Sequence, residues 1–108
     1  MARGLARGDV RLYTYPAPDK RRPVLVLTSD YAIGFLALAT VAPVTSSIRG
    51  VRSEVRLDEV DGMKAPCAVN LHNVTTVRQD RLGPCLTRLS RERMHEVCIA
   101  LGFALGCG

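Results

Sequence analysis

Convincing helical periodicity is confined to one segment at the C-terminal end, and the sequence before it breaks into short apolar runs. Ser90 is a good N-cap, Glu92 places a negative charge in the first turn, and Gly106 is a natural C-terminal stop. The apolar stripe of this predicted helix comprises Met94, Val97, Cys98, Leu101 and Leu105. A chain with one such helix must build most of its core from strands.

The upstream runs have the periodicity of short strands. Asp9 to Tyr15 alternates in polarity, and Pro23 to Thr28 is a continuous β-branched and leucine run, typical of a strand buried on both faces. Further strands are predicted at residues 35–44, 53–57, 67–71 and 84–89, a strand or a tight helical turn at 72–77, and loops at 16–20, 29–34 and 58–66. Short strands at close spacing predict an α+β, mainly β domain, which is a small barrel or a sandwich with a C-terminal helix.

The 108 residues fit a single domain spanning 1–108. No apolar run reaches the roughly 18 residues that a membrane-spanning helix needs. Residues 1–10 carry Arg3 and Arg7 but lack the apolar core of a signal peptide. We therefore expect a soluble, cytoplasmic protein without a membrane partner.

The charge balance favours a polyanionic partner. The formal net charge is +5 and the isoelectric point is near 9.4, which is typical of nucleic-acid-binding domains. All basic residues except Lys20 and Lys64 are Arg. The planar fork of donors on Arg matches phosphate geometry, which the ammonium group of Lys does not.

Common catalytic motifs are missing from the sequence, which has no glycine-rich phosphate loop, nucleophile elbow or HExxH helix. Asp58, Glu59 and Asp61 form an acidic cluster that we interpret as solvated rather than metal-binding. Because the chain has two histidines and no cysteine pair at CxxC spacing, we expect no metal site and no cofactor. The cysteines are interpreted as small buried apolar residues: Cys67, Cys85, Cys98 and Cys107.

Polar residues at two strand ends are the best candidates for a site. Arg22 stands directly before the buried run, and Thr45, Ser46 and Ser47 follow the strand predicted at 35–44. Strand ends around a barrel mouth are a common location for binding sites. Arg with hydroxyl donors suits a phosphate, although the same residues also fit a surface arginine and a turn-capping threonine.

Three segments resemble the signature segments of the MazF/PemK toxins, which are the ribonuclease components of toxin–antitoxin pairs. They are Arg7-Gly8-Asp9-Val10, residues 21–28 (RRPVLVLT) and residues 42–50 (APVTSSIRG), in the order found in the family. Residues 69–74 and 87–90 are also similar, so the resemblance covers about residues 7–107. The placement of Cys and His near the C-terminus is similar to that in mycobacterial members.

The resemblance implies an SH3-like, CcdB-type barrel that forms a homodimer and binds RNA in a groove at the dimer interface. It implies a metal-independent endoribonuclease that cleaves single-stranded RNA at short motifs and so inhibits translation and growth. The 2′-hydroxyl would attack the adjacent phosphorus, leaving a 2′,3′-cyclic phosphate and a 5′-hydroxyl. The family's catalytic Arg and Thr correspond to Arg22 and Thr45. The predicted RNA-binding residues are Lys20, Arg21, Ser46, Ser47, Arg49, His72 and Asn73, of which His72 is also a candidate general base.

The resemblance also implies a cognate antitoxin, whose acidic, partly disordered C-terminal segment would fold onto the basic groove. The sequence departs from the family in two places. The loop before Arg22 is short, with Asp19 as its sole acid, and Asn73 and Thr75 stand where many members have Gln and a basic residue. These departures predict an altered cleavage motif, with mRNA, tRNA and rRNA all open as targets.

Two other functions stay open at this point. A gyrase-inhibiting toxin of the CcdB type would use the same barrel, although the ending Leu105 to Gly108 lacks the bulky residues that such a toxin needs. A non-catalytic RNA-binding module would stack bases on aromatic side chains such as Tyr13 and Tyr15.

Overall fold

The computed structural model describes residues 4–18 and 20–107, so the predicted features at Arg3 and Asp19 lie outside the described residues. Within this part the strands are β1 (Asp9–Thr14), β2 (Arg21–Val26), β3 (Leu38–Thr45), β4 (Glu54–Leu57), β5 (Cys67–Asn70), β6 (Thr75–Arg78) and β7 (Cys85–Arg88). The α-helices are α1 (Asp30–Ile33) and α2 (Arg91–Leu105), and single 3-10 turns lie at Glu59–Asp61, Leu71–Asn73 and Gln79–Arg81. In the described residues, no helix is both long enough and apolar enough to span a membrane.

Strand β3 is the centre of the sheet because it pairs with three other strands. One edge pairs with β2, from Val41 opposite Val26 to Pro43 opposite Val24. The other edge is shared, since the first half of β3 pairs with β6 and its last two residues pair with β5. The full antiparallel order is β4-β5-β3-β2-β1-β7. The sheet curls into a half-barrel, and the predicted mainly β barrel with a C-terminal helix is confirmed.

The β2 strand is buried on both faces, as its sequence predicts. Leu25 packs into an apolar cluster that α2 covers with Val97 and Ala100. The neighbouring residues Val24 and Val26 pack into a second cluster on the opposite face. Val24, Leu25 and Val26 are all fully buried, so this strand contributes to both clusters.

The predicted element bounds differ from the structure in two places. The strand predicted at 23–28 is β2, Arg21–Val26, so Arg22 lies within the strand rather than before it. Residues 29–34 are not a plain loop, because they contain α1, where the Ser29 hydroxyl accepts a hydrogen bond from the Ala32 N–H. The strand predicted at 35–44 begins only at Leu38, since the N–H groups of Phe35 and Leu36 donate to the Ala32 carbonyl and continue the helical turn. At 72–77 both predicted alternatives are present, a 3-10 turn followed by β6.

Helix α2 begins after Ser90 and ends before Gly106 as predicted, but its buried stripe is narrower than the sequence indicates. Val97 and Ala100 are buried, whereas Leu105 is 61% exposed. The helix packs chiefly on β4 and the Leu71–Asn73 turn, and Met94, Leu101 and Ala104 lie partly buried against the same cluster as Val97.

The interpretation of the cysteines as buried is correct for Cys67 and wrong for the other three. Cys85, Cys98 and Cys107 are exposed. Cys98 lies on α2 beside the buried Val97 but points away from the sheet, where its sulfur contacts an Nη atom of Arg7. The helical spacing of apolar residues does not show how much of the stripe the sheet covers.

The carboxylate of Asp9 ties the N-terminal segment to β1 and β7. It is fully buried, and it accepts hydrogen bonds from Arg88 at 2.7 Å and from Arg11 at 2.9 Å. The backbone N–H of Ala6 donates to it at 3.1 Å. Burial raises the pKa of Asp9, but the bonds from Arg88, Arg11 and Ala6 together outweigh burial and hold the pKa below its ordinary value.

Replacing Asp9 by Asn should lower the free energy of unfolding by about 3 kcal/mol. Loss of the buried carboxylate leaves the positive charges of Arg11 and Arg88 without their partner. Urea unfolding at neutral pH measures this loss. Asp80→Asn is the matched control, since Asp80 binds Arg78 at the surface, where ion pairs contribute little. Equal midpoints for Asp9→Asn and the unchanged protein would contradict a stabilising role for the buried carboxylate.

The lowered pKa of Asp9 also predicts an acid dependence of stability. Its contribution is complete above the ordinary carboxyl pKa of about 4 and is lost as the pH falls through the lower pKa of the folded state. The difference in unfolding free energy between the unchanged protein and Asp9→Asn should therefore shrink from about pH 5 downward. Urea titrations at a series of pH values test this, and a constant difference down to the acid limit would be inconsistent with it.

Candidate active site

Arg22 and Thr45 lie just beyond the paired residues of β2 and β3. The pairing ends at Val24 opposite Pro43. Arg22 and Thr45 each stand two residues beyond this last pair, and both line one cavity. Because side chains alternate with a period of two, Arg22 and Thr45 lie on the same face. The sheet thus joins the two strand ends that the sequence singles out.

Arg22 stands between two cavities. The larger cavity measures 560 Å³, and its wall includes Arg22, Thr45 and Ser46. The smaller cavity measures 310 Å³ and is lined by Tyr15, Arg22, Pro43, Asn73 and Thr75. The Arg22 side chain is exposed, so its donors can reach a ligand in either cavity.

Hydrogen bonds hold the segment that follows Thr45 in place. The Thr45 hydroxyl accepts a bond from the Ser47 N–H at 3.0 Å, which forms a local turn. A few residues later, one carboxylate oxygen of Glu54 accepts bonds from the N–H groups of Arg49 and Gly50, at 3.0 and 2.9 Å. The Thr45 oxygen still has its own proton to donate, so it can bind a ligand while it holds the turn.

Asp61 fixes the far wall of the larger cavity. Its carboxylate accepts bonds from Arg93 of α2 at 2.9 Å and from the Asp58 N–H at 3.0 Å, and its carbonyl accepts one from the Thr87 hydroxyl. Burial raises the pKa of Asp61, but the bonds from Arg93 and Asp58 together outweigh burial and hold the pKa below its ordinary value. The interpretation of this acidic cluster as solvated is therefore wrong for Asp61, whose side chain is 6% exposed.

The electrostatic character of the two cavities is positive. Arg22 and Lys64 are the charged side chains among the described residues that line them, and no Asp or Glu is included. Cys67 lines the larger cavity, and burial together with the nearby charges of Asp61 and Asp58 raises the pKa of its thiol. The thiol is therefore neutral at physiological pH, and the cavities are suited to an anionic ligand.

The predicted site residues divide into two groups. Arg22, Thr45 and Ser46 line the larger cavity, and Asn73 lines the smaller one beside Arg22. The other predicted RNA-binding residues line neither of these cavities: Lys20, Arg21, Ser47, Arg49 and His72. The Nδ1 atom of His72 forms a hydrogen bond of 2.6 Å with the hydroxyl of Ser53, a buried residue.

Several lining residues were missed by the sequence interpretation. Met63 and Lys64 come from the segment that the sequence marks only as a turn-rich connection, and Leu86 comes from β7. Thr75 was noted only as a departure from the family pattern, yet it lines the smaller cavity. No periodicity or spacing links these residues, because the closure of the half-barrel alone brings them to one cavity.

The arrangement is rich in donors, because a guanidinium, an ammonium, hydroxyls and the Asn73 amide line the cavities, and the described lining residues include no carboxylate or imidazole. Preorganised donors of this kind stabilise negative charge that develops on a ligand. A guanidinium with a pKa above about 12 does not serve as a base at neutral pH. The site is therefore suited to stabilise a phosphate rather than to remove a proton.

Comparison with known protein families agrees with the sequence resemblance. The family described as "PemK-like, MazF-like toxin of type II toxin-antitoxin system" matches residues 6–105. The chain is similar to the probable endoribonuclease MazF5 of Mycobacterium tuberculosis, with 44% identity over 103 residues that cover 94% of each chain.

Solved structures with the same fold extend this similarity. The Mycobacterium tuberculosis toxin MazF-mt6 has a TM-score of 0.84 and 31% identity, over 93% of this chain and 98% of that one. The MazE–MazF structure from Deinococcus radiodurans has a TM-score of 0.81 and 26% identity, over 96% and 98% of the two chains.

Gly62→Ala should destabilise the wall of the larger cavity. Gly62 has a φ of 90°, and a Cβ added there would lie 2.4 Å from the Thr87 hydroxyl oxygen. Gly50→Ala is the matched control, because Gly50 has a φ of 73° and open space around it. Urea unfolding should show an additional loss of about 1 kcal/mol for Gly62→Ala over Gly50→Ala. Equal losses would mean that Thr87 can move aside at no cost.

Proposed function

The chain belongs to the MazF/PemK family of toxins from type II toxin–antitoxin systems, and on that premise we propose the reaction that it catalyses. The protein is an endoribonuclease. It cleaves single-stranded RNA at short sequence motifs in the cytoplasm, without a metal ion, and thereby inhibits translation and growth. The observation that supports this proposal is that Arg22 and Thr45 both line one positively charged cavity.

The proposed chemistry is a transfer within the RNA strand. The 2′-hydroxyl loses its proton and attacks the adjacent phosphorus, and the bond from phosphorus to the 5′-oxygen of the next nucleotide breaks. The 5′-oxygen gains a proton, so one proton passes overall from the 2′-oxygen to the 5′-oxygen, and the products are a 2′,3′-cyclic phosphate and a 5′-hydroxyl. Between the RNA substrate and these products the phosphorus becomes five-coordinate, and negative charge accumulates on its oxygens. Hydrogen-bond donors can stabilise this charge.

Arg22 and Thr45 are assigned to that charge. The guanidinium can donate two parallel N–H bonds to phosphorane oxygens, and the Thr45 hydroxyl can add a third. We also propose Arg22 as the acid for the leaving 5′-oxygen, because that oxygen belongs to the phosphate that its guanidinium would bind. We do not assign His72 as the base, because it lines neither cavity and its Nδ1 atom binds Ser53.

The proposed partners follow from charge and from a relative. Two copies of a chain with a net charge of +5 would present +10 on one particle, which strengthens the attraction of RNA. We propose that the chain forms a homodimer and that a cognate antitoxin places an acidic C-terminal segment on the donor-rich cavities. The similar Deinococcus radiodurans protein was solved as a MazE–MazF structure, which supports the antitoxin assignment.

Arg22→Ala should reduce the cleavage rate by about 10²–10³-fold, the usual effect of removing one preorganised donor to a developing oxyanion. Thr45→Val, which removes the hydroxyl and keeps the shape, should also reduce the rate strongly. The measurement is incubation with mixed-sequence RNA in EDTA, followed by mapping of the cut 5′ ends. Arg56→Ala is the matched control, since Arg56 is exposed on β4 and lines neither cavity.

Discrete cuts with 5′-hydroxyl ends, retained in Arg56→Ala and lost in Arg22→Ala, are the expected result. No cutting by the unchanged protein, with RNA binding intact, would favour a non-catalytic RNA-binding module. Absence of both cutting and RNA binding would favour the gyrase-inhibiting function. Cuts that disappear in EDTA would contradict the metal-independent mechanism.

Sedimentation equilibrium should give a particle of twice 11.8 kDa, in line with the proposed homodimer. The acidic segment of an antitoxin should bind this particle and compete with RNA, because both ligands need the same donors. A fluorescent single-stranded RNA reports the competition. A mass of one chain at every concentration tested would contradict the dimer without affecting the assignment of Arg22.

A further inference from the structure

We infer that the larger cavity is a pocket for one RNA base and that Lys64 makes it select a keto base, guanine or uracil. This inference rests on the proposed ribonuclease function, because it places a base of the RNA next to the phosphate at Arg22 and Thr45. It adds a specificity residue, Lys64, which the sequence interpretation did not identify.

The walls of the cavity have the character of a base pocket. Apolar side chains line several sides of the cavity, among them Leu12, Pro23, Val44, Met63, Pro66 and Leu86. Its volume of 560 Å³ lies within the range of about 300–1,000 Å³ for small-molecule pockets. The flat faces of a nucleic-acid base can pack against such walls. A thioether such as that of Met63 forms favourable contacts with aromatic rings.

The polar groups of the cavity are donors at its edge. Lys64 and Arg22 carry only donors, and in the described residues Lys64 makes no ion pair. The hydroxyl oxygen of Thr45 accepts a bond from the Ser47 N–H and keeps its own proton to donate. No Asp or Glu among the described lining residues offers a charged acceptor.

This donor excess distinguishes the four bases. Guanine and uracil present carbonyl oxygens at the positions where adenine and cytosine present amino groups. An ammonium group can donate a hydrogen bond to a carbonyl oxygen. It forms none with an exocyclic amino group, because both groups are donors. The pocket should therefore accept a keto base and disfavour an amino base.

The segment that carries Lys64 is held firmly enough to discriminate. Gly62 follows the Glu59–Asp61 turn and donates its N–H to the Glu59 carbonyl. Asp61 binds Arg93 of α2, and the Thr87 hydroxyl of β7 binds the Asp61 carbonyl. The backbone segment that carries Lys64 is therefore tied to α2 and β7 before any RNA binds.

The test is Lys64→Met, which removes the charge and keeps the length of the side chain. A random RNA library is cut briefly in EDTA, and both sides of every cut are sequenced. The pocket position is the one near the cut where the unchanged protein prefers keto bases. There the ratio of keto to amino bases should fall about tenfold in Lys64→Met, as expected for the loss of one charge-assisted hydrogen bond. Arg56→Met removes one positive charge outside both cavities, so it should leave this ratio unchanged.

A second readout separates this inference from the proposed function. A 2′-fluoro RNA library lacks the attacking hydroxyl, so the bases that the protein retains can be sequenced even if the protein cuts nothing. Keto enrichment that Lys64→Met abolishes would support the base pocket whether or not cleavage occurs. Equal base ratios for the unchanged protein and Lys64→Met, or enrichment of amino bases, would overturn it. A thermal melt confirms that each variant is folded.

Discussion

The pairing of β3 with three strands is the constraint on which the rest of the structure depends. Its first half pairs with β6 and its end pairs with β5, while its other edge pairs with β2. Because β3 divides this edge between two strands, the sheet turns at β3 and curls into a half-barrel. The sheet separates the two apolar clusters, α2 covers one of them, and the antiparallel pairing brings the end of β3 beside the start of β2.

Arg-rich chemistry serves two different purposes in this molecule. Arg11, Arg88 and Arg93 bind carboxylates that are buried in the fold, and they hold the N-terminal segment, β7 and the turn after β4 in place. Arg22 is exposed at a cavity without carboxylates and is available to a ligand. The acids of the chain are thus used largely to fix the scaffold, and the cavities keep their positive character.

Local features of the fold follow well from the sequence. Ser90 and Gly106 mark the ends of α2, and the unbroken apolar run after Pro23 marks the strand that anchors both clusters. These signals depend on residues that are neighbours in the sequence, so they can be recognised without knowing which elements pack against them. The start of β3 could not be predicted, because the turn that delays it depends on hydrogen bonds to the Ala32 carbonyl. The exposure of Cys98 depends on how much of α2 the sheet covers.

The sequence by itself determined the class of fold, the basic charge, the family, and the two residues assigned to the reaction. Arg22 and Thr45 lie in continuous segments whose order and spacing a linear pattern can record. The tertiary structure decided that these two residues line one cavity, that Asp9 and Asp61 belong to the scaffold, and that Lys64 lines the same cavity. The physical reason is that burial patterns and caps are local, whereas a cavity is formed where distant strands meet, and their register and curl depend on the whole sheet.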